Sequence, residues 1–167
     1  MTTIPVDEIT DNISLAPNNI YVIPENNVLT VVDGVLKLTP CDLQVKVNLS
    51  INVFFKSLAE THGSFAIGVI LTGTGFNFTD GIKSIKEFGG VTYAQDLNNA
   101  AFEGMPLSAT KSGAVDFIMS INEIPEHLKH ITQAYKKTKL RFLLTASIRT
   151  SLSQFLQAGA MLMILLS

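Results

Sequence analysis

The stretch FAIGVILTGTGFNFTDGIKSIKEFGGVTYAQD, residues 65–96, decides the fold. It opens on FAIGVIL, a nearly unbroken apolar run, the pattern of a strand buried on both faces. TDGIKSIKEF then sets Ile82, Ile85 and Phe88 on one helical stripe, Gly89-Gly90 ends the helix, and VTYAQD reads as a second strand. Strand, loop, helix and strand in that order form a right-handed crossover in a parallel sheet. In such sheets ligands and reacting groups gather at the carboxyl ends of the strands. The glycine-rich loop from Gly73 to Gly81 falls at that end, yet where a catalytic loop would carry an ionised group it offers Phe76, Asn77 and Phe78.

Upstream, residues 1–19 form a polar lead-in with Pro5 and Pro17. IYVIP, VLTVVDGVLKLTP and LQVKVNL are rich in β-branched residues, and Asp33-Gly34 stands where a two-residue hairpin turn belongs. Asn48 or Ser50 is positioned to cap a helix through INVFFKSLAETHG, with Val53, Phe54, Leu58 and Ala59 near one face and Gly63 as its stop. Downstream, FEGMPLSATKSGAVDFIM predicts a short helix near 106–111, a glycine turn at Gly113 and a strand VDFIM. INEIPEHLKHITQAYKK predicts a helix with Pro125 in its first turn and Ile124, Leu128, Ile131 and Tyr135 at helical spacing. From Lys139 the chain turns aliphatic, and Arg149 is its last charged side chain.

The chain has 167 residues, 47% of them hydrophobic and 16% charged, enough for one domain with a substantial core. A net charge of −2 without a block of like charges excludes a phosphate-tracking surface, so no nucleic-acid partner is expected. Cys41, the single cysteine, forms no intrachain disulfide and has no metal-ligand spacing around it, and MTTIPVDEITDN lacks the basic and apolar regions of a signal peptide. The expected compartment is the cytoplasm.

Generic chemistry finds little purchase. Gly73, Gly75 and Gly81 match neither GxGxxG nor GxxxxGK[ST], so a tight strand-to-helix turn is preferred over nucleotide binding. His127 and His130 lie three apart on a helix without an evident third ligand; surface histidines are preferred, and no metal or other cofactor is expected. Ser64, Ser108 and Ser112 lack a GxSxG elbow or a neighbouring histidine and read as capping or loop serines. Asp80 reads as a helix cap, with Thr79 as its competitor.

YVIPENNVLTVVDGVLKLTP, SINVFFKSLAETHGSFAIGVILTGTG, TDGIKSIKEFGGVTYAQD and FEGMPLSATKSGAVDF resemble, in order, the later part of the chemotaxis receptor methylesterase domain, the CheB family. The resemblance spans about residues 12–130. FEGMP and FFKSLAE are most similar to hybrid proteins in which this domain precedes a CheR-like methyltransferase domain. It implies an α/β fold, here a partial doubly wound, mostly parallel sheet with a β-hairpin near the N-terminus. It also implies hydrolysis of the γ-glutamyl methyl esters of methyl-accepting chemoreceptors by a Ser-His-Asp triad. The family aspartate lies in a loop reading G-[MT]-G-[SN]-D-G, whose frame here is Gly73, Thr74, Gly75, Thr79 and Gly81, with Gly104, Met105 and Pro106 as a nearby family motif.

At the aspartate position stands Asn77, flanked by Phe76 and Phe78. An asparagine there costs about 10⁴ in turnover even when geometry survives, because the amide neither fixes the imidazole tautomer nor stabilises its cation. Phe78 replaces a family glycine, and a left-handed backbone at that position would strain it. The family's serine and histidine segments would precede residue 1, so the resemblance supplies neither nucleophile nor base, and a truncated or frameshifted reading frame is expected. Two readings stay open: a degenerate domain without catalysis of its own, or half of a split methylesterase or a non-catalytic receptor-docking module. With its first strands missing, the sheet is expected to leave FAIGVIL short of neighbours and prone to self-association. The tail, 139–167, is too short in apolar residues to span a bilayer and too poor in Lys and Arg for firm surface binding. Burial of Leu152, Phe155, Leu156, Leu162 and Leu165 against the incomplete sheet or another copy is preferred over membrane contact.

Overall fold

A computed structural model describes residues 5–16, 19–41, 50–75 and 78–145, with 136–145 described by backbone alone. The strand expected at LQVKVNL, the cap at Asn48, the loop residues Phe76 and Asn77, and the tail beyond Thr145 lie outside the described residues.

Asp33-Gly34 does make the hairpin. β4 (Asn27–Val32) and β5 (Val35–Pro40) pair antiparallel with Val32 opposite Val35. Asp33 at φ 52° and Gly34 at φ 76° supply the two left-handed residues of a type I′ turn. The polar lead-in also holds strands: β1 (Val6–Glu8) pairs in parallel with β3 (Ile20–Val22), and β2 (Ile13–Ser14) adds to β5. Neither is long enough for alternation to reveal it in the sequence.

α1 (Ser50–His62) lies beside this small sheet. Its Ser57 Oγ accepts the Val31 N–H at 3.0 Å and its Thr61 hydroxyl donates to Val31 O at 3.0 Å, so two hydroxyls one helical turn apart close the outer edge of β4. Leu29, Val31 and Leu36 enter the same core as Phe54, Phe55, Leu58 and Ala59. The predicted apolar face is corrected by one residue: Val53 is 38% exposed and Phe55 is buried. α1 packs on the hairpin sheet and on the next helix at once, so its buried face is wider than a single stripe.

β6 (Ile67–Ile70), β7 (Val91–Gln95) and β8 (Phe117–Met119) form a parallel sheet in that order, linked by α2 (Thr79–Glu87) and α3 (Gly104–Lys111) and followed by α4 (Ile124–Thr145). Ile70 and Ala94 face the core shared with α1, α2 and α3, whereas Ile67, Val69, Leu71 and Tyr93 pack against Ile124 and Leu128 of α4. This two-sided coverage explains the continuous apolar run at FAIGVIL. Among the described residues β6 pairs only with β7, and all four of its residues are buried. Ile82 and Ile85 are fully buried, but Phe88 is 48% exposed: it follows the last turn of α2 and so leaves the stripe. Gly89 at φ 81° completes the stop. α3 starts two residues before the predicted helix, and α4 continues past Lys139 to Thr145. No helix among the described residues is long and apolar enough to cross a membrane.

Candidate active-site loop

The loop after β6 is held by side chains of the sheet and by the turn after β7. Gln95, 2% exposed at the end of β7, accepts the Thr72 N–H on Oε1 at 2.9 Å and donates from Nε2 to Asn99 O at 2.8 Å. The Phe102 N–H donates to Thr72 Oγ1 at 2.7 Å, the Thr72 hydroxyl lies 3.2 Å from Phe102 O, and the Gly73 N–H donates to Phe102 O at 3.0 Å. Met105 N–H then donates to Gly73 O at 2.8 Å. Gly104 is required where it stands, because a Cβ there would sit 3.0 Å from Thr74 O and 3.1 Å from Gly73 O. These bonds bring Gly73, Thr74, Gly104 and Met105 together, while Pro106 occupies the first turn of α3, where no N–H is needed. Thr74 and Gly75 are exposed at the loop's surface.

Beyond Asn77 the chain returns to the core at once. Phe78, 2% exposed, packs in the cluster with Phe54, Phe55, Ile82 and Ile85. Its φ of −122° is an ordinary one, so the anticipated left-handed strain is absent. Neither Thr79 nor Asp80 caps α2: the N-cap residue is Phe78, without a side-chain cap bond. Instead Asn52, on α1, accepts the Gly81 N–H on Oδ1 at 2.8 Å, taking over one of the orphan donors of the first turn. Asp80 remains in that turn, exposed, where its charge complements the helix dipole.

The far side of the sheet holds a polar cluster that sequence reading assigned to the surface. His127 is half-buried: its Nδ1 lies 2.9 Å from the Tyr93 hydroxyl, and its ring meets Phe117 edge-on with centroids 4.6 Å apart. Burial, then the neighbouring Tyr135 and Asp116, push the Tyr93 hydroxyl up to about 12. His130 is exposed beside Glu126. Although burial works against it, hydrogen bonds from Lys86 and Thr92 hold the Asp116 carboxyl below its ordinary range. Ser112 caps the end of α3, donating to Ala109 O at 2.6 Å and accepting the Ala114 N–H at 3.2 Å. Among the described residues no three His, Cys, Asp or Glu side chains stand together as metal ligands.

Sequence reading passed over Gln95, Thr72, Phe102 and Asn52. Gln95 left one signal, a polar residue closing an apolar strand; the partners of the other three are set by folding.

These features define an α/β domain whose candidate site is a glycine-rich loop at the carboxyl end of a parallel sheet. The CheB methylesterase family matches residues 1–128, and the chain belongs to that family. The chain is 38% identical over 123 residues to an uncharacterized 104.1 kDa protein of Rhodobacter capsulatus, covering 74% of this chain and 13% of that protein. It is 33% identical over 119 residues to protein-glutamate methylesterase/protein-glutamine glutaminase 2 of Anaeromyxobacter dehalogenans, covering 71% of this chain and 35% of that one. The crystal structure of the Thermotoga maritima CheB methylesterase catalytic domain superposes with a TM-score of 0.66 at 29% identity, covering 74% of this chain and 68% of that domain. The chain thus spans about a third or less of the length of these two relatives.

Proposed function

We propose that this chain is a degenerate methylesterase-type module of cytoplasmic chemotaxis signalling, with residues 12–130 as its domain and 139–167 as a divergent tail, and that it does not hydrolyse glutamyl esters on its own. The observation that carries this reading is Asn77. Hydrolysis by a triad needs a carboxylate to hold the histidine and to balance the charge that develops on it, and an amide does neither. Asn77→Asp restores that carboxylate, and methanol release from a methylated chemoreceptor fragment, expected to be absent with the parent chain, is the assay that tests the reading.

A second reading, a docking module for methyl-accepting chemoreceptors, is favoured by the bonding around the loop. Thr72, Gly73, Gln95 and Phe102 keep an ordered surface at the carboxyl end of the sheet even though the neighbouring acidic position is lost. Titration calorimetry with the cytoplasmic fragment of a methylated chemoreceptor tests it. Saturable binding without methanol release supports docking, whereas absence of binding leaves only the degenerate reading.

A further inference from the structure

Phe102 is the most exposed large hydrophobic side chain among the described residues, at 60%. It is also held more firmly than an exposed ring needs to be. Both of its main-chain polar groups are engaged, the N–H by Thr72 Oγ1 and the carbonyl by the Gly73 N–H, and Thr72 is fixed in turn by buried Gln95. The backbone therefore cannot swing to bury the ring without breaking the bonds that shape the loop. Phe65 and Phe88, the other exposed aromatic rings among the described residues, lie at the opposite end of the sheet, where Phe65 meets Tyr135 edge-on. An aromatic ring on a fixed backbone offers a large contact area at low entropic cost, the character of a binding hot spot.

We propose that Phe102 is a specificity-determining residue: the platform against which a polypeptide bearing a glutamyl γ-methyl ester packs as the ester reaches the Gly73–Gly75 loop. The proposal rests on the docking reading above. The charge around Phe102 selects a peptide over a membrane. The turn LNNAAFEG, residues 97–104, carries Glu103 and no Lys or Arg, so anionic headgroups are repelled while a neutral ester is accepted. Thr74 and Gly75, both exposed, follow directly on Gly73, whose N–H holds the Phe102 carbonyl.

The test is fluorescence anisotropy of a labelled helical peptide, one γ-methyl glutamate among alanines and leucines, titrated with the full chain. Phe102→Ser is expected to weaken binding by about tenfold or more and Phe102→Leu by less, while Phe102→Tyr stays within about threefold of the parent. Thr72→Val, which unties the Phe102 main chain, is expected to weaken binding with the ring intact, and Thr72→Ser to restore it. Ile121, 44% exposed after β8, serves as the control, and Ile121→Ser is expected to have no effect. Parent-like binding by both Phe102→Ser and Phe102→Leu overturns the proposal while sparing the docking reading. An equal loss in Ile121→Ser overturns it in favour of unspecific apolar contact, and phosphatidylserine vesicles that displace the peptide overturn it in favour of a lipid surface. No binding by the parent chain overturns both the proposal and the docking reading.

Discussion

Replacing Gly81 by alanine probes the joint between the two helices that frame the loop. A Cβ at this position would sit 2.9 Å from Asn52 Cα, 2.9 Å from Phe55 Cβ and 3.0 Å from Asn52 Oδ1. Two of these atoms belong to or sit directly on the α1 backbone, so no rotamer change relieves them and the helices must part. Overpacking of this kind costs about 1–3 kcal/mol. The Asn52 Oδ1 bond to the Gly81 N–H is lost with it, a further ~1 kcal/mol. Better helix propensity returns about 1 kcal/mol. The net is a loss of about 2 kcal/mol, which in a chain of this size lowers Tm by roughly 4–8 °C. Urea titration followed by far-UV circular dichroism measures it. Asn52→Ala alone is expected to cost about 1 kcal/mol, and the double variant less than the sum, because the shared bond is lost only once. A Gly81→Ala chain as stable as the parent would refute the close helix crossing and the external cap.

Gln95→Leu removes the staple between the two loops and is expected to cost about 1–2 kcal/mol, with faster hydrogen exchange at the Thr72 and Gly73 amides; parent-like exchange would contradict the role given to Gln95. Gly34→Ala, at φ 76° and with no neighbour within 4 Å, is expected to cost about 1–2 kcal/mol from conformation alone, read as a shift of the urea midpoint. Burial lowers the proton affinity of His62 and outweighs the opposing pull of the Leu58 backbone. The unfolded chain therefore takes up the proton first: stability is full above about pH 6.5 and falls as the pH drops below it, and His62→Gln should flatten that slope in pH-dependent melts. Asp116 acts in a lower window. Its contribution holds above about pH 4 and is lost as the pH falls through its depressed value, a loss that Asp116→Asn should remove from the acid limb.

The crossover unit was legible because each signal in it is local: a run buried on both faces, a helical stripe, a double glycine and a second strand. Asp33-Gly34 was legible for the same reason, since a type I′ turn is specified by its two central residues. The errors arose where a distant element decides. Phe55 is buried and Val53 exposed because α1 meets both a sheet and a helix, and α2 is capped by Asn52, which local rules that select Thr79 or Asp80 do not reach. His127 read as a surface residue because Tyr93, its partner, lies 34 positions earlier on β7. In the candidate site the glycine frame was visible as a motif, but the bonds that shape it run from Thr72 and Gly73 to residues 95 and 102, a pairing created only when β6 and β7 come side by side.

Methanol release from a methylated chemoreceptor fragment, measured with the purified full chain, decides whether the loop that carries Asn77 belongs to a working esterase. Release by the chain is expected to be no faster than the fragment's spontaneous hydrolysis. Turnover above that background by the parent chain, abolished by replacing one of its serines, would contradict it and establish a working esterase that does without the family's aspartate.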